Sequence, residues 1–111
     1  MAQTITTQEP TNMVRMATGR YKDTGTVAEY TFSDLGFKPR YVRVINSASS
    51  GGSFEWIEGM ADDSAIKRLA ADGVQSLVTS NGITVTDRGF TLGVDTDINV
   101  SSEQISWVAM G

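Results

Sequence analysis

The residues best suited to hold an ion or move a proton in this chain are carboxylates. Asp95 and Asp97 stand two apart, with Asn99 close behind. Side-chain oxygens at that spacing can bind a hard cation such as Ca²⁺. The rest of the calcium-loop pattern is missing, and aspartates favour turns for their own local hydrogen bonds. No metal is therefore expected there. Asp62-Asp63 reads as a helix cap or a solvated turn. Two acids could also act as a glycosidase pair, but nothing in the sequence sets two carboxyls across a cleft. His and Cys are both absent. That excludes imidazole and thiolate metal sites, Cys nucleophiles, His-based triads and disulfides. Ser/Lys chemistry has only Lys22, Lys38 and Lys67 to draw on, and no Gly-rich phosphate loop ending in Gly-Lys-Ser/Thr occurs. The expectation is a protein that is not an enzyme and uses no cofactor.

Aromatic side chains are the other candidates. Tyr30, Tyr41, Phe54, Trp56, Phe90 and Trp107 could stack on a sugar ring. Trp56 and Trp107 sit in alternating segments beside apolar neighbours, so both are expected in the core. Met13, Met16, Met60 and Met110 suit either buried filling or adaptable contacts.

These residues must be positioned by strands. Val and Thr are abundant and Leu is scarce, which suits a pleated sheet. Residues 26–32 alternate, with Ala28, Tyr30 and Phe32 on one side. Residues 40–46 form the clearest strand, with Val42 and Val44 inward and Arg43 outward. The Ser/Gly loop 47–52 connects it to residues 53–58, where Phe54 and Trp56 share a face, and the two runs predict an antiparallel pair. Residues 74–80 and 83–86 read as strands joined by Asn81-Gly82, a two-residue hairpin signal. Residues 90–92 and 103–109 add two more, the last aligning Ile105, Trp107 and Ala109. Segment 60–73 has two readings. Asp62-Asp63-Ser64 could cap a helix of two to three turns stopped by Gly73. An extended segment fits as well and is slightly preferred. Residues 18–25 have the composition of a loop. The fold expected is all-β: an antiparallel β-sandwich of seven or eight short strands over residues 26–111, with residues 1–25 as an extended N-terminal arm or edge segment.

At 111 residues and a net charge of −4, one acidic domain is expected. Such a chain repels phosphate backbones, so no nucleic-acid partner is expected. The charge is uneven. Arg15, Arg20, Lys22, Lys38, Arg40 and Arg43 make the first half mildly basic, and the second half is acidic. This describes either a mixed solvated surface or subunits that dock basic side to acidic side. No run approaches a membrane span, and the first ten residues lack the basic start and apolar run of a signal peptide.

Residues 34–46, 54–60, 79–84, 88–93, 97–101 and 106–109 together resemble small virion proteins of tailed bacteriophages, a resemblance covering roughly residues 26–110. It implies a non-enzymatic β-sandwich in the phage particle, similar to capsid decoration (cement) proteins and to tail or fibre modules. The expected role is a decoration protein on the outer capsid surface, assembled in the host cytoplasm. Its partners would be the major capsid protein and copies of itself, as a trimer at a symmetry axis or another homo-oligomer. Thr4, Ile5, Met13, Arg15, Met16 and Arg20, in or beside the arm, are the expected partner contacts. A carbohydrate-binding module on the virion and a tail or neck component are the alternatives.

Overall fold

A computed structural model describes residues 15–22, 25–48 and 51–111. Eight strands occur among them: β1 (Met16–Lys22), β2 (Tyr30–Phe32), β3 (Tyr41–Asn46), β4 (Gly52–Ile57), β5 (Ser64–Leu69), β6 (Gln75–Thr86), β7 (Gly89–Leu92) and β8 (Gln104–Met110). They form one sheet in the order β1-β8-β3-β4-β5-β6-β7-β2, with every neighbouring pair antiparallel. The fold is all-β and sandwich-like. Its single sheet curls into a half-barrel, so the far strands face the near ones across one core. Phe32 of β2 and Phe90 of β7 stack with ring centroids 4.7 Å apart, and each lies 5.3 Å from Trp107 of β8. Tyr21 of β1 meets Tyr30 of β2 at 4.2 Å. The two terminal strands thus touch through side chains while no described ladder joins them.

Alternation explains the central strands. In β3, Val42 and Val44 are fully buried while Arg43 and Ile45 are exposed. In β4, Phe54 and Trp56 are buried. Val42 and Val44 pair with Trp56 and Phe54 on one side and with Ala109 and Trp107 of β8 on the other, so all six come onto the same face. Ile83, Phe90, Leu92, Ile98 and Ile105 complete the interior, and burying such side chains stabilises the fold by roughly 1.5–3 kcal/mol each. Trp56 is buried, and Trp107 is partly buried against the core.

Several local expectations change. Residues 18–22 are strand, since β1 pairs with β8 over seven positions. Gly19 is not a loop signal. A Cβ there would lie 2.5 Å from the Trp107 indole, so only glycine lets that ring lie over β1. Segment 64–69 is extended, as preferred, and no helix occurs among the described residues. Asp63 takes a positive φ of 63° at the point where the helix would have started. The strand of residues 26–32 shortens to Tyr30–Phe32, where only Phe32 is buried.

Asn81-Gly82 is not a hairpin but a corner inside β6. The first half of β6 pairs with β5 and the second half with β7. Asn81 has φ 57°, and the register jumps there, with Ala65 opposite Val78 but Ser64 opposite Ile83. Gly82 N donates to Asp63 O, and Gly93 N donates to Gly82 O. The segments flanking β5 and β7 therefore satisfy both backbone groups of Gly82, which a two-residue hairpin would have left at its tip.

Candidate functional site

The acids singled out first lie between β7 and β8. Lys67 points inward from β5, on the same face as its register partner Phe54. Its ammonium lies 3.0 Å from Asp95 Oδ1 and 2.7 Å from Asp97 Oδ2. Asp97 N also donates to Asp95 Oδ1 at 2.8 Å. Burial works against the Lys67 charge, but hydrogen bonds to Asp97 and Asp95, and the charges of both, outweigh it and hold its pKa above the usual 10.5. Asn99 donates to Ala28 O and Gly93 O. An ammonium thus occupies the place between the carboxylates that a cation would need. No group of three or more potential metal ligands is found among the described residues. Asp62 and Asp63 lie in the turn before β5 and cap no helix.

Ser64-Ala65-Ile66-Lys67 has the Ser-x-x-Lys spacing, which in a helix would put both residues on one face. Here the segment is a strand, where three residues span about 10 Å. Ser64 Oγ donates to Ala61 O at 2.6 Å, and Lys67 is engaged by the aspartates.

The outer face of the sheet is different. Ladder register places Met16, Met110, Tyr41 and Ile57 side by side across β1, β8, β3 and β4. The next outward row runs Thr18, Val108, Arg43, Glu55, Ile66 and Leu77. The third runs Arg20, Ser106, Ile45, Ser53, Arg68 and Gln75. Met16 and Leu77 are each 61% exposed and Ile57 is 54% exposed. Single exposed apolar residues are ordinary, but adjacent ones on one sheet face form a patch.

Charge follows the same division. Glu55 is the one acid within the eight strands, and every other described acid lies in a loop or turn. Arg20, Lys22, Arg43 and Arg68 all project outward, so the outer face is basic on an acidic chain. Glu55 is opposite Arg43 in the ladder, yet its carboxylate accepts the Tyr41 hydroxyl at 2.5 Å. Burial, then the hydrogen bond to Glu55 and its charge, push the Tyr41 pKa up to about 12, with Arg43 pulling the other way. Arg68 Nη2 donates to Gln75 Oε1 at 3.1 Å. The Arg43 side chain has no hydrogen bond or ion pair among the described residues. Arg43, Ser53, Glu55, Ile66, Arg68 and Gln75 line a depression of about 120 Å³.

Of the expected partner contacts, Met16 and Arg20 lie on this outer face and Arg15 is exposed just before β1. Thr4, Ile5 and Met13 lie outside the described residues. Ile45, Ile57, Leu77, Arg43 and Arg68 share this outer face and were not singled out from the sequence. Their sequence signal was an apolar or basic residue at an outward position of an alternating run. No protein-family model, curated protein or solved structure matches this chain.

Proposed function

We propose that this chain is a structural subunit of a phage particle, a decoration protein that attaches to the capsid shell through the outer face of its sheet. The observation carrying the reading is the apolar row of Met16, Met110, Tyr41 and Ile57, with Ile45, Ile66 and Leu77 set among charged and polar residues in the two rows beside it. A sheet face meant only for water would carry polar side chains at these outward positions. Modest contacts of this kind, repeated over a shell, hold through multiplicity. The major capsid protein is the proposed partner, with self-association in small rings beside it. The residues near β1 named from the sequence belong to the same surface in the cases of Met16 and Arg20.

The test is co-sedimentation of the purified chain with phage heads that lack it. Wild-type chain should pellet with the heads at hundreds of copies per particle. The Met16→Glu/Ile57→Glu variant should stay in the supernatant while unfolding at an unchanged temperature. Attachment of this variant at wild-type level would refute the reading, as would a stoichiometry of six or twelve, which belongs to a tail or neck.

A further inference from the structure

We infer that the patch that receives this protein is acidic, and that Arg43 and Arg68 clamp a carboxylate of that protein surface over Ser53. This deepens the proposed docking role and rests on it. The inference comes from the separation of charge in the fold. The chain has a net charge of −4, yet the outer sheet face carries Arg20, Lys22, Arg43 and Arg68 against Glu55 alone.

The basic side chains are not spent internally. The nearest acid to Arg43 in the ladder is Glu55, whose Oε2 is taken by the Tyr41 hydroxyl. That bond engages one carboxylate oxygen, and no ion pair between Glu55 and Arg43 occurs among the described residues. Arg68 uses one nitrogen on Gln75 and has no ion pair among the described residues. The two arginines share the depression over β3–β6 with Ser53, whose hydroxyl can add a hydrogen bond, and with Glu55, whose charge two guanidinium groups outweigh and whose Oε2 already accepts from Tyr41. Guanidinium groups offer planar forks of donors that match a carboxylate in two bonds.

A nucleic acid could also meet arginines, but the chain's net charge repels it and Ile45, Ile57 and Leu77 interrupt the cations with apolar surface. Apolar anchors with charged groups beside them are the composition of a protein interface. Two outer faces from separate copies would bring cation to cation, so like-face pairing is disfavoured.

The probe is an acetylated hexapeptide alternating leucine and glutamate, with its glutamine counterpart as control. Binding is followed by NMR on the full isotope-labelled chain, reading the Arg Nε–H signals and backbone amides. The glutamate peptide should shift the Arg43 and Arg68 side-chain signals together with the Ile45 and Leu77 amides. Its affinity should fall about tenfold in Arg43→Gln/Arg68→Gln and stay unchanged in Arg88→Gln, an exposed loop arginine. Raising salt from about 0.05 to 0.3 M should weaken it several-fold. Absence of shifts, equal binding of the glutamine peptide, or an unaltered double variant would overturn the clamp. So would tighter binding of an oligothymidylate in the same buffer, or concentration-dependent shifts of the chain alone that vanish in the double variant, which would make a second copy the occupant. Head co-sedimentation separates the two ideas. If Met16→Glu/Ile57→Glu detaches the protein and the glutamine pair does not, the clamp falls and the docking role stands. If neither detaches it, the docking role falls.

Discussion

The two faces of this sheet use the same strands and the same alternation to opposite ends. On the inner face, Val42, Val44, Phe54 and Phe90 are closed off from solvent, and Lys67 is met by two carboxylates. On the outer face, Ile57 and Leu77 are open to water, and Arg43 lacks an acidic partner among the described residues. Inside, each side chain's requirements are met by the chain itself. Outside, apolar surface stays open to water and positive charge exceeds negative. The difference teaches that a residue type is not informative until its face and its neighbours are known.

The sharpest way to break the comparison is to damage the inner face. Phe90→Ala removes a fully buried ring that packs on Phe32 and Trp107, and should cost about 3–5 kcal/mol in urea unfolding. A loss under about 1 kcal/mol would show that the interior is not tightly packed around it.

Lys67→Met comes next. It leaves Asp95 largely buried without its partner and should cost roughly 2–3 kcal/mol, less than a fully buried pair because Asp97 is partly solvated. Unchanged stability would mean that the ion pair only balances its own desolvation.

Alkaline titration probes both faces together. Tyr41 on the outer side and Lys67 on the inner side both have raised pKa values, so the folded state holds protons that the unfolded state has released. Their contribution is whole below about pH 10 and fades as pH climbs towards 12 and beyond. Stability measured by denaturant should fall over that interval by roughly 1–2 kcal/mol, after allowing for screening of the partly exposed Tyr41. Tyr41→Phe should flatten part of the slope. An equal slope in that variant would remove the phenol–carboxylate bond from the account.

The smallest effect belongs to the outer face. Ile57→Glu/Leu77→Glu should move the unfolding free energy by no more than about 0.5 kcal/mol per site, because neither side chain is enclosed. A loss of several kcal/mol would mean that these residues stabilise the isolated domain and are not reserved for a partner.

Much of the inner face was readable in the sequence. Val42/Val44, Phe54/Trp56 and Ile105/Ala109 alternate over runs long enough to fix strand and side together. Segment 64–69 was harder, since Ala65, Ile66 and Leu69 satisfy a helical period as well as an extended one. At Gly19 and at Asn81-Gly82 the local composition pointed the wrong way. The cause in both places is a distant partner: Trp107 over Gly19, and Asp63 and Gly93 bonded to Gly82. The Lys67 pairing with Asp95 and Asp97 spans 28 and 30 residues, beyond any local pattern. The outer patch needed the ladder register as well, because Met16 and Ile57 become members of one row only when four strands are aligned.

The first strand also fixes how the fold would bear a load. Gly111 N donates to Arg15 O at 2.9 Å, and Met16 lies opposite Met110, so these two ends of the β1–β8 ladder meet at one corner. A pull that separates Arg15 from Gly111 would peel the ladder open one rung after another. A pull on Arg15 along β1, with the body anchored through its outer face, strains all seven rungs at once, because the bonds run across the strands. Single-molecule stretching should record a clearly higher rupture force in the second geometry, and equal forces would contradict it. Fastened by its broad side and tugged by that strand, the fold would behave as a rivet instead of a zip.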